Sequence, residues 1–302
     1  MQEDAMTSVP SSILVATDFS TNADHALDFA RRLAGVFGAE IHLVHVRVLL
    51  EGRQQSQELQ RELERLDIQH DRQTEEALAK HAGQTGSGVR THLVRGLSVS
   101  ESLLESAMDL QCDLVVMGTH GRRGLRHLLL GSVAEEIVRT ATVPVITVRE
   151  SADTDERSAG SILVAHDFSE RSTAAVAVAR EWALALGAEV HLLHVVEPVV
   201  YPEFYAVDVM PDEVLHRIEE RSIEAMKAAA AEQLQDVPHS LEVVTGRAVD
   251  AILDAADPAQ FDLVIMGTRG LSGLQHLLLG SVAEGVVRRS GIPVLTVRAA
   301  DD

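Results

Sequence analysis

The chain repeats itself. SILVATDFS (Ser12 to Ser20) returns as SILVAHDFS (Ser161 to Ser169), and a 22-residue run from Gly118, GTHGRRGLRHLLLGSVAEEIVR, returns from Gly267 as GTRGLSGLQHLLLGSVAEGVVR with 16 positions identical. Both offsets are 149 residues, a length that holds a complete domain, so the 302 residues divide into two copies of one unit. Residues 1–149 form the first expected domain and 161–302 the second. Between them ESADTDERSAG (Glu150 to Gly160) is polar and without apolar periodicity, as expected of a linker.

Each copy alternates strand and helix patterns. In the first, the apolar run Ile13 to Ala16 ends at Asp18, and Ala26, Phe29, Ala30, Leu33 and Phe37 follow at helical spacing. IHLVHV (Ile41 to Val46), a charged helical stretch, THLV (Thr91 to Val94), a helix through Leu103, Leu104 and Ala107, and the strand DLVVMG come next; a helix from Ser132 and the strand VPVITV close the unit. Alternation of this kind demands parallel strands joined by right-handed crossovers. The expected fold is therefore α/β, with a doubly wound sheet of about five strands in each half, and ligands beyond the carboxyl ends of the strands. Asp18 and Gly118 both fall there. In the charged helical stretch, Leu59, Leu63 and Leu66 are expected to supply one packed stripe. The second half instead carries EPVVYPEFYAVDVMPDE, with Tyr201, Phe204 and Tyr205 on a proline-containing loop suited to a lid or contact surface.

Composition excludes several classes of function. With 26 Lys plus Arg against 46 Asp plus Glu the formal charge is −20, which repels nucleic-acid backbones and anionic bilayers. Cys112 is the only cysteine, so no intrachain disulfide, cysteine-based zinc site or CxxC redox pair exists. No basic-then-apolar leader opens MQEDAMTSVPSS and nowhere do 18 apolar residues run together, so the expected location is the cytoplasm. Only Lys80 and Lys227 are lysines, and neither lies in a glycine-rich stretch, which rules out phosphate loops of the GxxxxGK[ST] kind.

Gly118, Gly121, Gly124 and Gly131 punctuate a loop that leaves a strand and enters a helix, an arrangement in which backbone N–H groups and a helix amino terminus can cradle phosphate. Arg122, Arg123, Arg126 and His127, with Arg269 and His276 in the second copy, reverse the sign of the local charge beside it. A competing reading needs no ligand: Ser132-x-x-Glu135 and Ser281-x-x-Glu284 match capping boxes that satisfy the helix amides internally. Asp18 and Asp167 could accept from ribose hydroxyls, hold a divalent ion already bound to phosphates, or favour a helix start through its dipole. His42 and His45, like His191 and His194, are three apart on strands, which sends their rings to opposite faces and makes structural roles the expectation.

GTHGRRGLRHLLLGS fits the G-x2-G-x9-G-[ST] signature of the universal stress protein family at Gly118, Gly121, Gly131 and Ser132, and GTRGLSGLQHLLLGS fits it again at Gly267, Gly270, Gly280 and Ser281. The chain resembles a tandem member of that family over nearly all of both halves. The resemblance implies strand order 3-2-1-4-5 and ATP, with Mg or Mn, at the carboxyl edge of each sheet. Adenine would lie by Val46 and Ala16, and by Val195 and Ala165, with Asp18 and Asp167 near the ribose. Phosphates would meet Met117 to Gly121, Arg122, Arg123 and Gly131 to Val133, His120 included; their counterparts are Met266 to Gly270, Arg269 included, and Gly280 to Val282. Arg269 stands where the first copy has His120, a departure that bears on the second site.

The resulting expectation is an ATP-binding stress-response or signalling protein that acts as a nucleotide-dependent switch, since no general base or nucleophile is placed at the γ-phosphate. The alternatives are a slow ATPase or autophosphorylating enzyme using Ser132 or His120, and a ligand-free interaction scaffold. Family members dimerise through their last strand, and Pro144 and Pro293 begin those strands here. The two halves are therefore expected to pair within the chain, Val145 to Val148 against Val294 to Val297, as a pseudo-two-fold internal dimer that leaves other surfaces for a further homodimer.

Overall fold

The computed structural model describes residues 9–49, 57–83, 88–121, 130–149, 160–197, 212–268 and 279–298. The first half runs β1 (Ser12–Ala16), α1 (Thr21–Phe37), β2 (Glu40–Val48), α2 (Gln57–Gly83), β3 (Val89–Gly96), α3 (Val99–Asp109), β4 (Leu114–Gly118), α4 (Ser132–Thr140) and β5 (Val145–Val148). The second repeats the order as β6 (Ser161–Ala165), α5 (Glu170–Leu186), β7 (Glu189–Val196), α6 (Asp212–Gln233), β8 (His239–Thr245), α7 (Ala248–Ala255), β9 (Leu263–Gly267), α8 (Ser281–Arg289) and β10 (Val294–Val297).

All strands form one ten-stranded sheet in the order β3-β2-β1-β4-β5-β10-β9-β6-β7-β8. Each half thus has the order 3-2-1-4-5, parallel throughout. The two orders meet where β5 pairs with β10 antiparallel, Val294 opposite Thr147, Leu295 opposite Ile146 and Thr296 opposite Val145. Thr296 Oγ1 donates to the Val145 carbonyl at 3.2 Å across this seam, mirrored by Thr147 Oγ1 toward Val294 at 3.5 Å. Central strands are buried on both faces and hence read as continuous apolar runs; Ile13, Leu14 and Val15, like Ile162, Leu163 and Val164, are wholly inaccessible.

Two cores flank the sheet, and each spans both halves. One lies under α1, α2, α5 and α6 and includes Leu33, Leu78, Trp182 and Met226; Phe37 meets Trp182 edge to face across the seam at 5.1 Å. The other lies under α3, α4, α7 and α8 and includes Leu103, Ile137, Ile252 and Val286. The amino ends of the strands are tied alike in the two halves. Asp113 accepts from the Ser11 and Ser12 amides, and Asp262 from those of Gly160 and Ser161.

The long helix departs from expectation. Among the described side chains of α2, Leu66 is exposed while Asp71, Thr74 and Leu78 are buried; the side chains of Leu59 and Leu63 lie outside the described set. Asp71 is a charged residue on an inner face because Arg47 and Arg95 both pair with it, which makes a buried carboxylate tolerable. The loop carrying Tyr201, Phe204 and Tyr205, and most of the linker, also lie outside the described residues. Cys112 is buried with its thiol near Ser12 Oγ, and burial pushes its pKa up.

Candidate functional site

At the carboxyl end of each half-sheet a cavity opens. The first, about 550 Å³, is lined by Ala16, Asp18, Val46, Met117, Gly118, Thr119, His120, Gly121, Gly131, Ser132 and Val133, all anticipated from sequence, together with Thr17, Ala23 and His45, which were not. The second, about 300 Å³, gathers Ala165, Asp167, Val195, Met266, Gly267, Gly280, Ser281 and Val282, and adds His166, Ser172 and Glu197. Arg122, Arg123, Arg126, His127, Arg269, Gly270 and His276 fall outside the described residues. The residues missed are those adjoining each motif: a strand-end signal locates Asp18 but says nothing of its neighbour Thr17.

Four segments build the first cavity, and short contacts fix them together. Thr17 N–H donates to Val44 at 2.9 Å, extending the β1–β2 ladder, and Thr119 N–H donates to Val148 at 2.9 Å, extending β4–β5. The Gly131 amide donates to Thr119 at 2.8 Å, drawing the start of α4 onto the end of β4; Gly280 does the same to Thr268 at 2.8 Å. Asn22 Nδ2 holds the His120 carbonyl at 3.2 Å. A Cβ at Gly121 would stand 2.6 Å from Asp18 Oδ2, and one at Gly131 would stand 3.1 Å from the Thr119 carbonyl. These approaches need glycine for space, with φ at Gly131 an ordinary −63°.

After β1 the chain turns sharply. Asp18 Oδ1 accepts from Ser20 N–H at 3.0 Å, and Asp167 Oδ1 from Ser169 N–H at 3.1 Å, with Phe19 and Phe168 between them at φ 61° and 64°. Non-glycine residues rarely adopt this left-handed conformation, and the strain recurs at the same place in both copies. The serines then cap their helices: Ser20 Oγ accepts from Ala23 N–H and Ser169 Oγ from Ser172 N–H.

The capping boxes expected at α4 and α8 do not form. The capping residues are Gly131 and Gly280, neither start has a side-chain cap, and Ser132 and Ser281 are already inside the helix. At four other helix starts a side chain satisfies one first-turn amide, though Arg247 at the capping position of α7 makes no such bond. Ser20, Ser98 and Ser169 cap α1, α3 and α5, and Glu197 Oε1 accepts from Ala248 N–H at 2.7 Å at the start of α7. Both α4 and α8 bring their first turns to the cavities, with Ser132 to Ala134 and Ser281 to Ala283 on the walls, beside the starts of α1 and α3 in the first cavity and of α5 and α7 in the second. Such first turns carry unsatisfied amides and a positive dipole end.

The strand histidines divide as their spacing requires. His45 Nδ1–H donates to the Thr17 carbonyl at 2.7 Å and His194 Nδ1–H to that of His166 at 2.8 Å, so each fixes the turn after the first strand. His42 Nδ1 and His92 Nε2 share a hydrogen bond of 3.0 Å, and His191 meets Ser240 and Glu242 at 2.8 and 3.1 Å. Burial lowers the pKa of His42, His92 and His166 below the usual imidazole range. Among the described residues no group of three or more His, Cys, Asp or Glu could hold a metal ion, and no helix is long and apolar enough to cross a membrane.

Comparison with known proteins agrees with this architecture. A universal stress protein of Mycobacterium tuberculosis is 32% identical over 212 residues, 68% of this chain and 70% of its own length. One of Mycolicibacterium smegmatis is 29% identical over 301 residues, covering 95% of this chain and 96% of itself. The crystal structure of a universal stress protein from Archaeoglobus fulgidus, at 22% identity, covers 95% of this chain and 98% of its own with a TM-score of 0.64, a likeness of fold alone. The sequence pattern of the universal stress protein family matches residues 11–149 and again residues 159–298, and the chain therefore belongs to that family, carrying its domain twice.

Proposed function

We propose that each half, 1–149 and 161–302 joined by the segment 150–160, binds ATP or a related adenine nucleotide at the carboxyl end of its sheet, and that the chain works as a nucleotide-dependent switch. The observation that carries this reading is the pair of uncapped helix starts at the cavity walls. Four described helices in the same chain have one first-turn amide taken up by serine or glutamate, and the amides of α4 and α8, which have none, fit a phosphate supplied from outside. Val46, Val99 and Met117 give the first cavity apolar lining suited to a base, and Asp18 lines the same cavity.

The fit extends to a divalent ion of the Mg or Mn kind in one respect only. No described cluster would hold such an ion by itself, so it would enter with the nucleotide phosphates, and the Asp18 carboxylate, which lines the cavity, would be its protein partner. The β5–β10 seam serves in this reading as an internal dimer interface. Slow hydrolysis or autophosphorylation at Ser132 or His120 would appear as turnover above that of a site-blocked variant.

Titration of Mg-ATP into the full chain tests the reading. Gly131→Val, whose side chain would crowd the Thr119 carbonyl and the helix amides, should lower first-site affinity at least about tenfold, the loss of one or two charge-assisted hydrogen bonds. Asp18→Asn, which keeps the turn to Ser20, should weaken binding in Mg more than in EDTA. Unchanged affinity in both folded variants would reject the reading.

A further inference from the structure

The antiparallel seam has a register, and the register sends the residue after each last strand to the other half's helix. Val294 lies opposite Thr147 and Thr296 opposite Val145. Continued outward, that register takes Arg149 past the loop that follows α8, and Arg298 past the loop that follows α4. The side chains make the crossing complete. Arg149 Nη1 donates to the carbonyls of Arg288 and Arg289 at 3.3 and 3.4 Å, in the last turn of α8. Arg298 Nη2 donates to the carbonyl of Arg139, in the last turn of α4. The two arginines are 149 positions apart, so the repeat itself generates both contacts.

We propose that Arg298 is a positioning residue for the first site and Arg149 for the second, so that each site is completed by the half to which it does not belong. This rests on the reading of α4 and α8 as phosphate-facing helices. Each has nine residues, and at 1.5 Å per residue about 13 Å separates its ends. A rod that short moves as a unit. Its uncapped amino end is set against Thr119 or Thr268 by one backbone hydrogen bond, and its carboxyl end is held by a guanidinium from across the seam. A cation there also complements the same dipole whose positive end faces the cavity. At the end of α8 the other charges are already engaged: Arg288 bonds Glu284, and Arg289 bonds Asp250. A change in one half, felt at Arg149 or Arg298, therefore reaches the opposite cavity through a single helix.

The test uses the full chain and Mg-ATP, with the first site read in a Gly280→Val background and the second in a Gly131→Val background. Arg298→Gln should weaken the first site about two- to fivefold, the range a cation at a helix carboxyl end commands, and leave the second unchanged. Arg149→Gln should do the reverse, and Arg→Lys at either position should restore most of the affinity, which a general packing defect would not allow. Equal weakening of both sites, or weakening confined to the half that carries the substitution, overturns the proposal. If the unmodified chain binds no nucleotide, the ligand reading fails separately, and amide exchange decides the bracing: faster exchange confined to α4 in Arg298→Gln and to α8 in Arg149→Gln supports it, and unchanged exchange overturns it.

Discussion

Single side chains from two neighbouring strands shape the turn that leads into each cavity. Asp18 and Asp167 spend one oxygen on the turn after the first strand, and His45 and His194 brace that same turn from the neighbouring strand. His42, His92 and His166 are held below the usual imidazole range by burial, opposed for His42 and His92 by Glu40 and for His166 by Asp167. The unfolded chain therefore takes up protons that the folded chain resists. Their contribution to stability is complete above the unfolded value of about 6.5 and is lost as pH falls through it. Melting temperature should decline from pH 7 to pH 5, and His166→Thr, which installs the residue found at Thr17, should flatten that decline. An equally steep decline in the variant would assign the acid sensitivity to other groups.

Helices report their roles through their first turns. Ser98→Ala should cost about 1 kcal/mol, because its hydroxyl accepts from the Glu101 amide. Ser132→Ala, in the same S-x-x-E context as Ser98, should cost almost nothing in a denaturant titration, since Ser132 caps no amide. Equal losses would mean that Ser132 caps α4 in solution. This pair also marks the limit of what the amino-acid sequence discloses. The 149-residue repeat and the strand–helix alternation were enough to bring Asp18, Gly118, Gly121 and Gly131, with Asp167, Gly267 and Gly280, to the cavities, whereas the strand order was expected from the family resemblance. S-x-x-E at the start of a helix cannot reveal which residue takes the capping position, because that depends on the Gly131–Thr119 hydrogen bond, which sets where α4 begins. In α2 the leucine spacing failed at Leu66, which is exposed. Asp71 packs inward only because Arg47 and Arg95, distant in sequence, neutralise it.

For the whole molecule the β5–β10 seam is decisive, because it joins the two half-sheets and both cores. Ile146 and Leu295 face each other there, wholly buried. Ile146→Ala should lower stability by about 2–5 kcal/mol, and chemical denaturation should show one transition for the two halves of the unmodified chain. Two separated transitions would mean that the halves fold independently and that the seam is weak. The central claim, that the bare helix starts of both halves hold adenine nucleotide, is met most directly by mass spectrometry of what freshly purified protein releases on denaturation, followed by Mg-ATP titration of the emptied chain. The account predicts adenine nucleotide, released or rebound, at up to two per chain, and none with a folded Gly131→Val, Gly280→Val double variant. No nucleotide released and no binding on titration, or equal binding by the double variant, would contradict it.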